Sequence, residues 1–171
     1  SCPVAIATHE KNHPESRHVC ARLPFDDMPL PDCDRWHVHG SPPCTNLSNM
    51  KKNASEEETL DGVEMVRWYI NFAVNSTASS WSMEQVPTAI VLSTIEEAQS
   101  LFPGRVDCVV LNMSRIGVPQ RRKRVIAGSP FLIERIKRRK LPQRSVKDTI
   151  PVPRGTHVRL EAFRVTSKKI A

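Results

Sequence analysis

The sequence lacks several features that would each imply a particular class of protein. No apolar run approaches the roughly 20 residues that a membrane-spanning helix needs. Nothing after the first residue, Ser1, resembles a signal peptide, and no internal repeat is visible. Hydrophobic residues make up 39% and charged residues 25% of the 171 positions. These proportions predict one ordinary globular domain.

The cysteines also exclude some classes. There are five, without any Cys-x-x-Cys pair: Cys2, Cys20, Cys33, Cys44 and Cys108. An odd number at these spacings disfavours a disulfide framework. We therefore expect a reducing, intracellular compartment.

The net charge of +7 is unevenly distributed. Residues 121–171 contain 16 Lys/Arg and 3 Asp/Glu, whereas residues 1–120 contain 9 Lys/Arg and 15 Asp/Glu. The basic last third suits contact with a phosphate backbone. A solvated basic tail is an equally good interpretation of the charge alone.

The hydrophobic pattern predicts strands that alternate with helices. Ser55 and Glu58 form a capping box, and the apolar residues behind it recur at helical spacing: Leu60, Val63, Val66, Ile70 and Val74. Two further helices are predicted over residues 94–101 and 131–140, and strands over 19–23, 36–39, 80–86, 106–111 and 125–127. Such alternation indicates an α/β fold with a parallel sheet, in which ligands bind beyond the carboxyl ends of the strands.

Two predicted strands end in residues that suit chemistry. The first leads into Gly40-Ser41-Pro42-Pro43-Cys44. A single cysteine is more often a small buried hydrophobic residue, but the two prolines stiffen the loop and favour a nucleophile. The second strand ends at Glu84, where a desolvated carboxyl group could hold or donate a proton. An ion pair or a helix terminus beside Glu84 is the alternative.

A third segment carries Gln120, Arg122 and Arg124. If the segment is extended, these side chains share one side, because strand side chains alternate. Arginines so placed can bind a carbonyl, a phosphate or a carboxylate. A solvated edge strand is the alternative.

Taken together, these motifs resemble the cytosine-5 DNA methyltransferases. Gly-Ser-Pro-Pro-Cys resembles the family's Pro-Cys loop, Glu84-Gln85-Val86 its Glu-Asn-Val motif, and Gln120-x-Arg-x-Arg its Gln-x-Arg-x-Arg. Their order and spacing agree over about residues 5–128, and the short form is closest to viral or divergent members. The resemblance implies a Rossmann-like sheet, S-adenosylmethionine as cofactor, double-stranded DNA as partner, and a nuclear or viral location.

The resemblance also implies roles for individual residues. Cys44 would attack C6 of a cytosine flipped out of the duplex, and Glu84 would hold the ring through N3 and the exocyclic amine. Arg124 would bind the cytosine O2, and Arg122 would order the loop and Glu84. The implied substrate-binding residues are Ser41, Pro43, Gln85 and Gln120.

The cofactor side of the family pattern is missing or altered. The Phe-x-Gly-x-Gly turn and the acidic residue after the second strand are absent, and Arg22 replaces an expected aspartate. We therefore expect a sheet without its first cofactor-binding strand: a partial catalytic core over residues 1–128 and a basic segment over 129–171 that leads into a target-recognition region. Either further segments of the same protein or a larger assembly complete this catalytic core, or the chain is a degenerate homologue. We expect little methyl transfer by this polypeptide alone.

Two other interpretations stay open. A zinc module could use Cys20, Cys33, His37, His39 and Cys44, although their spacing is poor and we predict no metal site. A non-catalytic protein that binds nucleic acid or serves in an assembly would use the basic tail and leave Cys44 without a chemical role.

Overall fold

The computed structural model describes residues 2–21, 23–24, 30–31, 33–47, 55–139 and 141–145. Its elements follow in the order α1 (Pro3–Asn12), β1 (His37–Gly40), α2 (Glu56–Asn75), β2 (Ser80–Gln85), α3 (Ala89–Leu101), β3 (Asp107–Asn112), a short 3-10 helix (Met113–Ile116), β4 (Lys123–Gly128) and α4 (Pro130–Arg138).

The described residues divide into two compact units. The larger unit lies within Ser1–Leu111 and Lys123–Arg139, and the smaller unit contains Asn112–Arg122 and residues 141–145. Helix α4 thus belongs to the larger unit. The predicted domain boundary at residue 128 stays a prediction, because residues 146–171 of the basic segment lie outside the described residues.

Helix α2 begins at the predicted capping box. The Ser55 hydroxyl accepts a hydrogen bond from the Glu58 N–H at 3.1 Å, and the Glu58 carboxylate accepts one from the Ser55 N–H at 3.0 Å. The predicted apolar stripe is confirmed from Val63 onward, and its members are at most 4% exposed: Val63, Val66, Ile70 and Val74. The prediction is wrong at Leu60, which is 58% exposed. The buried stripe therefore starts one turn later than the spacing indicated.

The sheet has four strands in the order β1-β2-β4-β3. Strand β1 pairs with β2 in parallel, but β2 pairs with β4 antiparallel, so the predicted all-parallel sheet is wrong. Parallel neighbours need a crossover of about a dozen residues or more. The segment between β3 and β4 is shorter than that and contains only a 3-10 turn.

Two further predictions differ from the structure. No strand forms over residues 19–21 and 23, and Arg22 lies outside the described residues. Helix α3 begins at Ala89 and not at residue 94, because Thr88 already has an extended N-cap conformation and Val91 is fully buried.

The sheet has one apolar and one polar side. On β2, Trp81, Met83 and Gln85 are buried at 4% exposure or less, and the first two join the core formed with α2 and α3. The alternate residues lie on the opposite side, because strand side chains alternate. We call this side the polar face and define it by His37, His39, Ser80, Ser82, Glu84 and Arg124.

Helix α4 packs on β4 through Ile133, which is fully buried. Its last turn carries Arg135, Lys137 and Arg138, two of which are in ion pairs: Lys137 with Asp107 at 2.7 Å, and Arg138 with Glu134 at 2.6 Å. Within the described ranges, no helix is long and apolar enough to span a membrane.

Candidate functional site

The chain leaves β1 at Gly40, which lies against the ring of Tyr69 on α2. A Cβ atom at position 40 would lie 2.1 Å from Cε2 of that ring, so no other residue fits without movement. The Tyr69 hydroxyl donates a hydrogen bond to the Ser82 carbonyl at 2.9 Å, and burial raises the pKa of Tyr69 above its ordinary value. One aromatic side chain therefore joins α2 to the end of β1 and to the middle of β2.

The loop that follows β1 is held at two points. At its start, Pro42 is buried and its carbonyl accepts a hydrogen bond from the Gln85 side-chain amide at 2.9 Å. At its end, Leu47 is 4% exposed and packs on α2 at Gly62, where an added Cβ would lie 2.8 Å from Leu47 Cγ. Cys44 lies between these anchors and is exposed.

Cys44 is close to the end of β2 because of its position in this loop. It follows Pro42 by two residues, which span at most about 7 Å of chain. Its carbonyl accepts a hydrogen bond from the Leu47 N–H at 3.1 Å, which closes a turn. The Cα atom of the exposed Cys44 thus lies within about 7 Å of that of Pro42, whose carbonyl Gln85 holds.

Glu84 is the centre of the polar contacts at this end of the sheet. One carboxylate oxygen accepts a hydrogen bond from the Ser41 hydroxyl at 2.8 Å, and the other lies 2.5 Å from Nε of Arg124. The register explains the ion pair: Glu84 is opposite Ile126, so Arg124 is its diagonal neighbour on the same face. The Arg124 and Glu84 side chains are 17% and 27% exposed. Three sequence motifs therefore meet at one carboxylate.

Gln85 is on the opposite side of β2 from Glu84. It is 1% exposed, and its amide is used twice, since Nε2 donates to the Pro42 carbonyl and Oε1 accepts from the Val86 N–H at 2.8 Å. The resemblance implied that Gln85 binds substrate. In the structure it supports the Cys44 loop from the core, whereas Ser41 and Pro43 are exposed.

The predicted extended segment over Gln120, Arg122 and Arg124 is not formed. Arg124 lies in β4, but Gln120 and Arg122 belong to the smaller unit. There the Gln120 N–H donates to the Val118 carbonyl at 2.7 Å, and the Arg122 N–H donates to the Gln120 carbonyl at 3.1 Å. These tight turns replace the alternation that the spacing indicated.

A row of histidines and serines continues along the polar face behind Ser41 and Glu84. Two pairs face each other across β1 and β2, His37 opposite Ser80 and His39 opposite Ser82. The Ser82 hydroxyl lies 2.8 Å from Nε2 of His37 and 2.8 Å from Nδ1 of His39. Nδ1 of His37 lies 2.7 Å from the Ser80 hydroxyl. The sequence pattern predicted a strand here and offered these histidines only as zinc ligands, although their alternation with Val38 already indicated one shared face.

Burial, and secondly the charge of His39, lower the pKa of His37 below its ordinary value of 6.5. The rings of His37 and His39 are hydrogen-bonded to serines and not gathered around one point. Among the described residues, no group of three or more His, Cys, Asp or Glu side chains is arranged to hold a metal ion.

An apolar cavity of about 190 Å³ lies beside the Cys44 loop. Its lining includes Val38, Pro43, Met65, Trp68 and Phe72, and the last two rings stack with centroids 5.5 Å apart. Cys44, Glu84 and Arg124 do not line it. Ser41 lines the cavity and also bonds Glu84, so the polar site adjoins the cavity.

No protein-family model and no curated protein matches the sequence. Among solved structures, the chain is similar to an E. coli prophage-encoded protein whose designation as a DNA modification methyltransferase is itself provisional. The TM-score is 0.57 and the identity 20%, over 90% of this chain and 47% of that one. A methyltransferase of Entamoeba histolytica shares 16% identity over 74% of this chain and 42% of its own, but its TM-score of 0.45 is too low to add to the argument.

The similarity to the prophage-encoded protein shows a methyltransferase fold. The chain spans about half the length of that prophage-encoded protein, and its four strands form a mixed α/β sheet.

Proposed function

We propose that this chain forms the substrate side of a DNA cytosine-5 methyltransferase. The observation that carries the proposal is the contact of Glu84 with both Ser41 and Arg124, beside the anchored loop of Cys44. The three positions come from separate motifs that are far apart in the sequence. A thiol, a carboxyl group and a guanidinium near one another suit addition to a pyrimidine ring.

The proposed addition begins with the Cys44 thiolate and C6 of a flipped cytosine. As the sulfur–C6 bond forms, the C5–C6 π electrons move to C4–C5, and the C4–N3 π electrons move to N3. Glu84 donates its proton to N3, which leaves Glu84 as a carboxylate. The product has a nucleophilic carbon at C5.

Arg124 and Ser41 orient the reacting groups in this proposal. In the free protein the Arg124 guanidinium pairs with Glu84, and a bound cytosine would bring its O2 to the same guanidinium. The hydroxyl of Ser41 holds the second carboxylate oxygen, so the carboxyl group keeps one orientation while its proton moves. Orientation of this kind can account for several kcal/mol of a reaction barrier.

S-adenosylmethionine, which the fold class implies, would supply an electrophilic methyl group. The described residues do not fit it: no described strand leads into a glycine-rich turn, and Glu84, the acidic residue at the end of β2, is already engaged. We derive no step through the cofactor for this reason. Strand β1 is at the end of the sheet order, and we propose that a cofactor-binding strand, from the same protein or a larger assembly, pairs along its outer edge.

Double-stranded DNA is the proposed partner. The basic excess of residues 121–171 would contact phosphates, which orients a duplex without reading its sequence. Binding should therefore weaken steeply as salt is raised.

The test uses a reaction that needs no methyl donor. Addition of Cys44 to C6 makes C5 exchange its hydrogen with water, so duplex DNA with tritium at C5 of cytosine should release the label. We expect release with the wild-type chain, none with Cys44→Ser, and wild-type release with Cys20→Ser, which changes another exposed cysteine. DNA binding without any release would contradict the proposal and favour the non-catalytic interpretation.

A further inference from the structure

The Ser82 hydroxyl connects the two histidines of β1. It lies 2.8 Å from a ring nitrogen of His37 and 2.8 Å from one of His39, and Ser82 itself is 8% exposed. Both histidines are exposed at the edge of the sheet. The bridge therefore ties the edge strand to β2 through side chains, immediately before Gly40 and the Cys44 loop.

The number of protons decides how strongly this bridge is held. A hydroxyl has one proton to donate and two lone pairs to accept with. When both rings are neutral, one donates to Ser82 and the other accepts from it. When one ring is charged, the same pattern holds. When both are charged, both ring N–H groups must donate to the two lone pairs of the hydroxyl, which holds two positive rings at one oxygen, where they repel each other. The second proton therefore favours opening of the bridge.

The surroundings of His37 disfavour a positive charge on its ring. Burial and the neighbouring His39 lower the pKa of His37. On β2, Glu84 lies two residues beyond Ser82 on the same face, but it is paired with Arg124 of β4. Tyr69 of α2 approaches from the opposite face and bonds only the Ser82 carbonyl. Because the folded state favours neutral His37, the stabilisation is present above pH 6.5 and is lost as the pH falls through the lowered value.

We propose that the bridge from His37 through Ser82 to His39 positions the Cys44 loop and that acid opens it, so that the reaction proposed above, on which this inference rests, requires an intact bridge. His37 and His39 are positioning residues, since they act through Ser82 and the end of β1. Cys44 keeps its place relative to Glu84 only while β1 stays registered on β2.

Backbone hydrogen exchange tests the bridge without reference to activity. Peptides that cover residues 37–47 are compared at about pH 7.5 and about pH 5, after correction for intrinsic exchange rates. For the wild-type chain we expect protection to fall roughly tenfold at the lower pH. Peptides from α3 report whether the whole unit unfolds, and they should stay protected.

The decisive variant is His39→Asn. The asparagine amide occupies nearly the position of Nδ1, so it can bond Ser82 but cannot gain a proton. Protection of residues 37–47 against exchange should then be the same at both pH values. In Ser82→Ala this protection should be lost at both pH values. Equal protection of the wild-type chain at the two pH values would overturn the proposal, as would an undiminished acid effect in His39→Asn.

The same variants separate this inference from the proposed function. In the tritium-release assay, the wild-type rate should fall on the acid side more steeply than the rate of His39→Asn. If exchange protection behaves as expected but no tritium is released at any pH, the bridge stands and the proposed function fails. If tritium is released with identical pH profiles for both chains, the proposed function stands and the positioning role is wrong.

Discussion

The ring of Tyr69 occupies the space that a side chain at position 40 would need. The distance of 2.1 Å from an ideal Cβ to Cε2 is far below any normal contact. Gly40 is therefore required by a neighbour on α2 and not by an unusual backbone angle, since its φ is not positive. The strand that leads to Cys44 and the helix that follows the loop can approach each other only because of this pair.

Gly40→Ala tests that relationship. The added methyl group must displace the Tyr69 ring or β1, and we expect the free energy of unfolding to fall by about 1–3 kcal/mol. In a Tyr69→Leu background the same substitution should cost markedly less, because the ring is gone. Urea unfolding of the wild-type chain, the two single variants and the double variant gives the coupling free energy between the two positions. Equal costs in the two backgrounds would contradict the proposed contact.

The titration of Tyr69 tests its burial. It is the single tyrosine of the sequence, so the ultraviolet absorbance of its phenolate is easily followed, and burial raises its pKa above the ordinary 10.0. The folded state thus favours the neutral phenol. Its stabilisation is fully present below pH 10.0 and is lost as the pH rises through the raised pKa.

Tyr69→Phe is the matched control for this titration. The substitution should remove the part of the alkaline loss of stability that comes from Tyr69. It should also lower the free energy of unfolding by about 1 kcal/mol at neutral pH, because the hydrogen bond to the Ser82 carbonyl is lost. A phenolate that forms at pH 10.0 in the folded wild-type chain would contradict the structure.

Arg124→Ala tests the ion pair with Glu84. The pair is partly buried, at 17% and 27% side-chain exposure, so removal of the guanidinium should cost about 1–3 kcal/mol of unfolding free energy. Arg138→Ala breaks an i,i+4 pair whose arginine is 78% exposed, and it should cost less than about 0.5 kcal/mol. Similar small costs for both substitutions would mean that Glu84 does not depend on Arg124.

Gln85→Leu tests the support of the Cys44 loop. The substitution preserves most of the buried volume but removes the donor to the Pro42 carbonyl and the acceptor for the Val86 N–H. Two polar backbone groups lose their partner, and we expect a cost of about 1–3 kcal/mol. Hydrogen exchange of residues 42–47 should accelerate. Unchanged exchange there would show that Pro42 and Leu47 hold the loop without Gln85.

The elements that local pattern controls were predictable. The capping box at Ser55, the buried stripe from Val63 to Val74 and the strand that ends at Gln85 all follow from short-range periodicity. The direction of β4 was not predictable in this way, because it depends on how the chain turns between β3 and β4. The tight turns at Gln120 and Arg122 escaped prediction for the same reason, since an extended segment and a pair of tight turns have similar sequences.

Within the candidate site, the sequence indicated which residue types carry the chemistry but not their surroundings. Glu84 and Gln85 are adjacent in one motif and look equivalent as polar groups. In the fold they face opposite sides of β2, so that Glu84 meets Ser41 and Arg124 while Gln85 is buried under the loop. The histidine row needed two strands in register before its bridge through Ser82 could be recognised.

The amino-acid sequence by itself determined the chemical groups, their order and the helices and strands that carry them, because these depend on residues a few positions apart. Tertiary structure alone decided which groups touch: the diagonal pairing that joins Glu84 to Arg124, and the fit of Gly40 under Tyr69. Such contacts join residues tens of positions apart. They depend on strand register and packing, which no local pattern encodes.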